Sequence, residues 1–199
     1  MNNPKNAKVF GANHQKPKRL SVAIFCSLLD WIEIFVFSLA FVLLLFTFVL
    51  RLAVVNGPSM ENTLHQGETL VISNLFYQPK QNDIVVFQSP TSTFDEPIVK
   101  RVIATENQVV DIDFTTWTVT VDGKTLDEDY VRREIGSMAG SNLKYPYTVP
   151  EGMIFVMGDN RNASTDSRDQ RIGMVDTRNI IGKVMFISFP FDHIGSPYK

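Results

Sequence analysis

A mostly β protein carrying one N-terminal transmembrane helix is the fold class this sequence predicts, and three observations predict it. Seventeen residues without a charge, Ile34–Leu50, stand near the N-terminus. Beyond Arg51 the apolar residues fall into short runs rich in Val, Ile and Phe, divided by Gly, Pro, Asn and Asp. No long helical period follows the first stretch. The expected architecture is a membrane anchor leading into a coiled antiparallel β-sheet domain.

Taken in order, residues 1–19 hold Lys5, Lys8, Lys16, Lys18 and Arg19 with no acid, and read as a basic cytoplasmic N-terminus. Residues 20–50 read as the anchor, with its core at about 31–50. Seventeen uncharged residues, interrupted only by Ser38 and Thr47, are the short end of a bilayer span, and the weakly polar stretch from Leu20 extends them. Trp31 suits an interface, with Asp30 and Glu33 in the headgroup region, because a carboxylate deeper in the membrane is costly. Basic residues before the span against Arg51 alone just after it orient the N-terminus to the cytoplasm and put residues 51–199 outside. Two other readings compete. A cleaved signal peptide would end in small residues, which Arg51-Leu-Ala-Val-Val55 fits poorly. A buried core helix would keep a polar side, which Phe35, Phe37, Phe41, Phe46 and Phe48 deny it.

Past the anchor, Thr69–Ser73, Asp83–Phe87, Pro97–Ile103, Gly152–Met157 and Ile180–Phe189 read as strands. Trp117–Val121, then Asp122-Gly123, then Lys124–Leu126 predicts a hairpin with a type I′ turn. Residues 127–150, rich in charge, Gly and Pro, read as a smaller excursion from the sheet.

Composition excludes several classes. A chain of 199 residues that is 44% hydrophobic and 20% charged is not disordered. Nineteen basic against twenty-one acidic residues create no global field for nucleic acid. A single cysteine, Cys26, excludes an intramolecular disulfide framework and a thiolate zinc site. Three histidines far apart in sequence, His14, His65 and His193, argue against a metal centre, and no cofactor is expected.

Three short stretches carry chemistry. In Asn56-Gly-Pro-Ser-Met-Glu-Asn-Thr-Leu64, Ser59 follows Gly-Pro in a turn, where its hydroxyl is free to be exposed; alone, such a serine is equally a plain turn residue. Lys100 lies inside an apolar strand whose alternation puts Ile98, Lys100 and Val102 on one face. Between two aliphatic side chains an amine loses hydration, so its pKa falls from about 10.4 toward that of a usable base. The competing reading is an edge-strand lysine that blocks aggregation. The third stretch, Gly158-Asp-Asn-Arg-Asn-Ala-Ser-Thr-Asp-Ser-Arg168, reads by itself as a solvated loop or a calcium loop, though Arg161 and Arg168 oppose a cation.

In this order, the three stretches resemble the motifs of bacterial type I signal peptidases, membrane-bound Ser/Lys proteases that release exported proteins. The serine box matches as Gly57-Pro-Ser-Met60 with Thr63-Leu64 behind it, and the lysine box as Ile98-Val-Lys-Arg-Val-Ile103. The third matches G-D-N-R-x-x-S-x-D-S-R at all eight specified positions. Softer similarity runs through Val121-Asp-Gly-Lys124, Tyr130-Val131 and Ile181-Gly-Lys183, and the whole looks most similar to the short single-anchor Gram-positive type.

The resemblance implies a signal peptidase I fold and a serine endopeptidase that removes signal peptides from pre-proteins at the cytoplasmic membrane. Its partners would be those pre-proteins and the lipid bilayer, with no nucleic acid and no metal. It makes Ser59 the nucleophile and Lys100 the general base. Ser164 becomes the hydroxyl that orients the amine, Asp166 and Arg168 a structural ion pair, and Gly158 and Asp159 the turn that closes the site. Val55 resembles a pocket position; Met60 and Leu64 flank the nucleophile, and Ile98 shares the face of Lys100. Such walls favour small side chains just before the cut. Two positions depart from the pattern. Gly57 stands where the best-known members have a serine whose hydroxyl helps hold the oxyanion, and Ala104-Thr-Glu-Asn107 replaces a Gly-Leu-Pro-Gly-like turn. Rival readings remain: a self-cleaving Ser/Lys regulator would bring a DNA-binding domain in place of the anchor, and a non-catalytic relative would lack the dyad.

Overall fold

The computed structural model describes residues 18–89, 96–132 and 143–198. The basic stretch 1–17 and residues 133–142 of the expected excursion lie outside the described residues. The chain divides into two units between Leu44 and Leu45.

The first is built on one helix, α1 (Lys18–Phe48). Ile24–Thr47 within it, 24 residues of mean hydropathy 2.3, is long and apolar enough to cross a membrane. At 1.5 Å per residue it measures about 36 Å, against roughly 30 Å of hydrocarbon. Its apolar side chains are exposed on every side, Phe35, Val36, Phe37 and Leu39 among them. Asp30 and Glu33 stand within the helix, inside this 24-residue stretch.

The second unit is almost entirely β. Its strands are β1 (Arg51–Val54), β2 (Thr69–Ser73), β3 (Ile84–Phe87), β4 (Ile98–Ala104), β5 (Val109–Asp113) and β6 (Thr118–Val121). There follow β7 (Lys124–Thr125), β8 (Tyr147–Thr148), β9 (Met153–Met157), β10 (Val175–Asp176) and β11 (Ile180–Phe189). Helical turns of the 3-10 kind occupy Thr177–Asn179 and Phe191–His193. Pairing is antiparallel throughout these strands, as the short, turn-divided runs lead one to expect.

The mostly β, antiparallel fold is the one expected, and its strands form two sheets. Seven strands lie in the order β1-β2-β11-β3-β4-β9-β10, and four in the order β7-β6-β5-β8. The last strand in sequence, β11, lies between β2 and β3. The excursion returns to the smaller sheet, since β8 pairs with β5. The predicted hairpin joins β6 to β7, and Asp122 and Gly123 take φ of 52° and 76°, the two left-handed positions of a type I′ turn. Asn107 takes φ of 65°, so the turn after β4 forms with the residue best able to adopt it.

β3 is buried on both faces. Ile84 and Val86 join Val55, Met60, Leu64, Leu70, Ile72 and Val184 in one cluster. Val85 and Phe87 join Val102, Ile154, Val156 and Ile172 in another. A third cluster binds the two sheets together, with Ile103, Phe155 and Met157 from the larger and Val110, Ile112, Val119 and Val121 from the smaller. The loops that carry chemistry are therefore set on a frame packed from both sides.

Candidate active site

Ser59 sits in a tight turn between β1 and β2. The turn is closed by Glu61 N–H to Pro58 O at 3.1 Å and Leu64 N–H to Met60 O at 2.9 Å. Its base is clipped by Val55 N–H to Glu68 O and Gly67 N–H to Val55 O, both 2.9 Å. The Gly158–Arg168 stretch lies against this turn: Asn160 donates its backbone N–H to Ser59 O at 3.0 Å and its Nδ2 to Pro58 O at 3.2 Å. Gly158 is required by that approach. A Cβ built there would stand 2.3 Å from Ser164 Oγ and 2.5 Å from the carbonyl oxygen of Ser59.

Lys100 projects from β4 opposite Val85 of β3, on the face of Ile98 and Val102. It is 3% exposed. Its Nζ lies 2.7 Å from Ser59 Oγ and donates also to the Val99 carbonyl at 3.1 Å. Burial brings the amine down from its ordinary value to about 8, against the opposing pull of the Asp166 and Asp159 carboxylates. A serine hydroxyl and an amine that is partly neutral near pH 8 thus share one hydrogen bond.

Ser164 does not hydrogen-bond to Lys100; its Oγ donates to Asp166 Oδ2 at 2.7 Å. Asp166 is fully buried. It accepts the Gly158 N–H at 3.0 Å and a bidentate pair from Arg168, Nε to Oδ1 and Nη2 to Oδ2, both 2.8 Å. Burial alone would raise this carboxyl, but Arg168 and the surrounding donors hold it below the usual carboxylate value. Arg168 reaches further to the Arg161 carbonyl at 2.9 Å and lies 5.5 Å from the Trp117 ring centroid.

A cleft of about 360 Å³ opens beside the serine and lysine. Val55, Met60 and Ile98, three of the four expected pocket residues, line it, along with Val99 and Ile172. Leu64 does not. It is fully buried in the cluster beneath the turn, which it shares with Val55 and Met60, and supports the Ser59 turn from below.

A second buried ion pair has no counterpart in the sequence reading. Arg101, neighbour of Lys100 on the opposite face of β4, forks onto Asp159 through Nε–Oδ1 at 2.9 Å and Nη2–Oδ2 at 2.7 Å. Thr63 of the serine turn donates to the same Asp159 at 2.6 Å, and the Tyr130 ring covers the guanidinium at 3.8 Å. Tyr130 is itself pushed up to about 12, chiefly by burial. Arg161, wholly buried, pairs with Glu128 and donates to Gly158 O at 3.2 Å. The available signal was an arginine inside an apolar strand, which has to find a carboxylate if it is buried.

Comparison with known proteins decides the family. The family model described as signal peptidase, peptidase S26, matches residues 28–189. The chain belongs to the signal peptidase family. Signal peptidase I of Bacillus licheniformis is 34% identical over 176 residues, covering 84% of this chain and 92% of that protein. Signal peptidase I T of Bacillus subtilis (strain 168) is 33% identical over 174 residues, 83% of this chain and 88% of the relative. A crystal structure of a signal peptidase I from Enterococcus faecalis V583 covers 55% of this chain and 98% of its own, at 30% identity and a TM-score of 0.44. As a member of this signal peptidase family, the chain is a serine endopeptidase.

Proposed function

We propose that this signal peptidase works as a membrane-anchored Ser/Lys dyad enzyme, with Ser59 as nucleophile and Lys100 as general base. The observation that carries the proposal is the 2.7 Å contact between Lys100 Nζ and Ser59 Oγ in the cleft lined by Val55, Met60 and Ile98. While charged, the amine donates to the serine oxygen. Once neutral, the contact reverses: the Ser59 O–H donates to the amine lone pair, and Oγ attacks the carbonyl carbon of the scissile bond. The lysine carries the proton to the leaving amine, then takes one from the water that hydrolyses the acyl-enzyme. The Ser59 N–H meets no acceptor among the described residues and is the donor offered to the oxyanion, Gly57 supplying no hydroxyl.

Ser164 and Asp166 act on the lysine electrostatically. Asp166 raises the amine's affinity for its proton, and the Ser164 hydroxyl withdraws part of that negative charge. Asp166 and Arg168 form the structural pair beneath the site. Val55, Met60 and Ile98 favour Ala, Gly or Ser in the substrate residue before the cut. The pre-protein is the partner, and α1 holds the enzyme in the cytoplasmic membrane with its N-terminus inside and the β unit outside, as the basic residues before the helix favour.

The deciding experiment incubates the detergent-solubilised protein with a pre-protein. Ser59→Ala and Lys100→Arg should each abolish cleavage while the β unit stays folded, since guanidinium gives up no proton near neutral pH. Substantial turnover by either variant overturns the dyad.

A further inference from the structure

Away from the cleft, the fold brings together two histidines that are far apart in sequence, against the expectation drawn from their spacing. His65 and Glu68 belong to the end of the Ser59 turn, where Glu68 N–H meets His65 O at 3.2 Å. His193 comes from the 3-10 turn that follows β11. One donor atom from each of these three side chains lies within 4.8 Å of the other two. None of the three lines the cleft.

The carboxylate of Glu68 forms the floor. Its side chain is 3% exposed, Oε1 touches Nδ1 of His193, and Oε2 accepts the backbone N–H of His65 at 3.0 Å. The two imidazoles form the rim, their centroids 5.5 Å apart and their planes inclined by 31°. A Glu–His hydrogen bond would need only one imidazole. Here a second faces the same carboxylate, and among the described residues its ring nitrogens have no hydrogen-bond partner.

Two imidazoles and a carboxylate, with an open side toward water, are a donor set suited to Zn²⁺, whose nitrogen and oxygen ligands sit at about 2.0–2.2 Å. Ligand atoms around such a tetrahedral ion stand roughly 3.4 Å apart. An ion would have to part the Glu68–His193 contact and draw in the exposed His65 imidazole, and both histidine side chains are exposed enough to turn. Calcium and magnesium prefer oxygen donors and are disfavoured by the two nitrogens.

We propose that His65, Glu68 and His193 form a binding site for a divalent transition-metal ion, Zn²⁺ first among them. The ion would pin the segment after β11 to the base of the nucleophile turn, where Glu68 O already holds Val55 N–H. Its role is to hold that frame together, and it takes no part in the bond-breaking step.

The test titrates the full chain in detergent with ZnCl₂, reading stoichiometry and affinity by calorimetry and Tm in parallel. One Zn²⁺ per chain and a rise in Tm are expected. His65→Ala, His193→Ala and Glu68→Gln should each weaken binding at least about tenfold, as loss of far subtler support does in metal sites. His14→Ala should bind as wild type does. Co²⁺ in place of Zn²⁺ should give a visible d–d absorption that His65→Ala removes. A Kd weaker than about 100 μM for the wild type overturns the proposal. So does undiminished binding in both His65→Ala and His193→Ala, whose exposed side chains can be removed without disturbing the fold.

Discussion

Folding takes the Lys100 amine out of water and returns only two hydrogen bonds, to Ser59 Oγ and the Val99 carbonyl. The consequence for stability has a definite sign. Below pH 8 the lysine is charged in both folded and unfolded chains, and the full cost of burying an ammonium is present. Between about 8 and the ordinary lysine value of 10.5 the folded chain has released its proton while the unfolded chain keeps it, so stability rises with pH across that window. The difference corresponds to roughly 3 kcal/mol. Lys100→Met should therefore raise the urea midpoint at pH 7 even as it removes activity, and a lowered midpoint would contradict the assigned burial cost. Activity should climb with pH with an apparent midpoint near 8. Ser164→Ala strips Asp166 of a donor, strengthening its hold on the lysine proton. The midpoint of the kcat–pH profile should then move to higher pH with a reduced plateau, and an unmoved midpoint removes Ser164 from its role.

At the scale of elements, the site is three chain segments locked on one another: the Ser59 turn, β4, and the Gly158–Arg168 loop. Gly158→Ala drives a methyl group into Ser164 Oγ and the Ser59 carbonyl, of which the second belongs to the backbone and has no rotamer to escape into. A shift of about 1 Å in the nucleophile should lower kcat roughly a hundredfold, measurable on a short peptide at saturating concentration. How far such an arrangement is readable in sequence depends on the kind of signal each element sends. β4 was legible because Ile98, Lys100 and Val102 alternate with the strand period, and they do share a face packed by Val85. The type I′ turn was legible because Asp122-Gly123 is a local necessity. β5 was missed because Val109-Val-Asp-Ile-Asp113 buries only Val110 and Ile112 and turns its acids to solvent, leaving no apolar run to notice. Arg101–Asp159 was missed because its partners are brought together by tertiary structure alone. Leu64 is absent from the cleft lining for a related reason: proximity in sequence to the serine does not say which side of a turn a leucine faces.

For the whole molecule, the division after Leu44 separates a helix able to span a membrane from the unit that holds Ser59 and Lys100. If the helix both locates the enzyme and raises the effective concentration of membrane-held substrate, its two contributions can be pulled apart by substrate choice. A chain beginning at Arg51 should keep most of its kcat/KM on a short soluble peptide and lose much more on a full-length pre-protein in vesicles. Equal losses on both substrates would show that α1 does no more than locate the enzyme. The order of the larger sheet carries a consequence of a different kind. β11, residues Ile180–Phe189, fills the gap between β2 and β3, so β2, which follows the Ser59 turn, is joined to β3 and through it to the lysine strand β4 only once β11 is in place. A polypeptide made from its N-terminus must hold two open strand edges while it waits, and such long-range closure is slow. A polypeptide lacking β11 has Ser59 beside β2 and Lys100 on β4 with no continuous sheet between them. The proposed dyad should therefore assemble only with that strand in place, and a chain cut short before Ile180 should cleave no substrate.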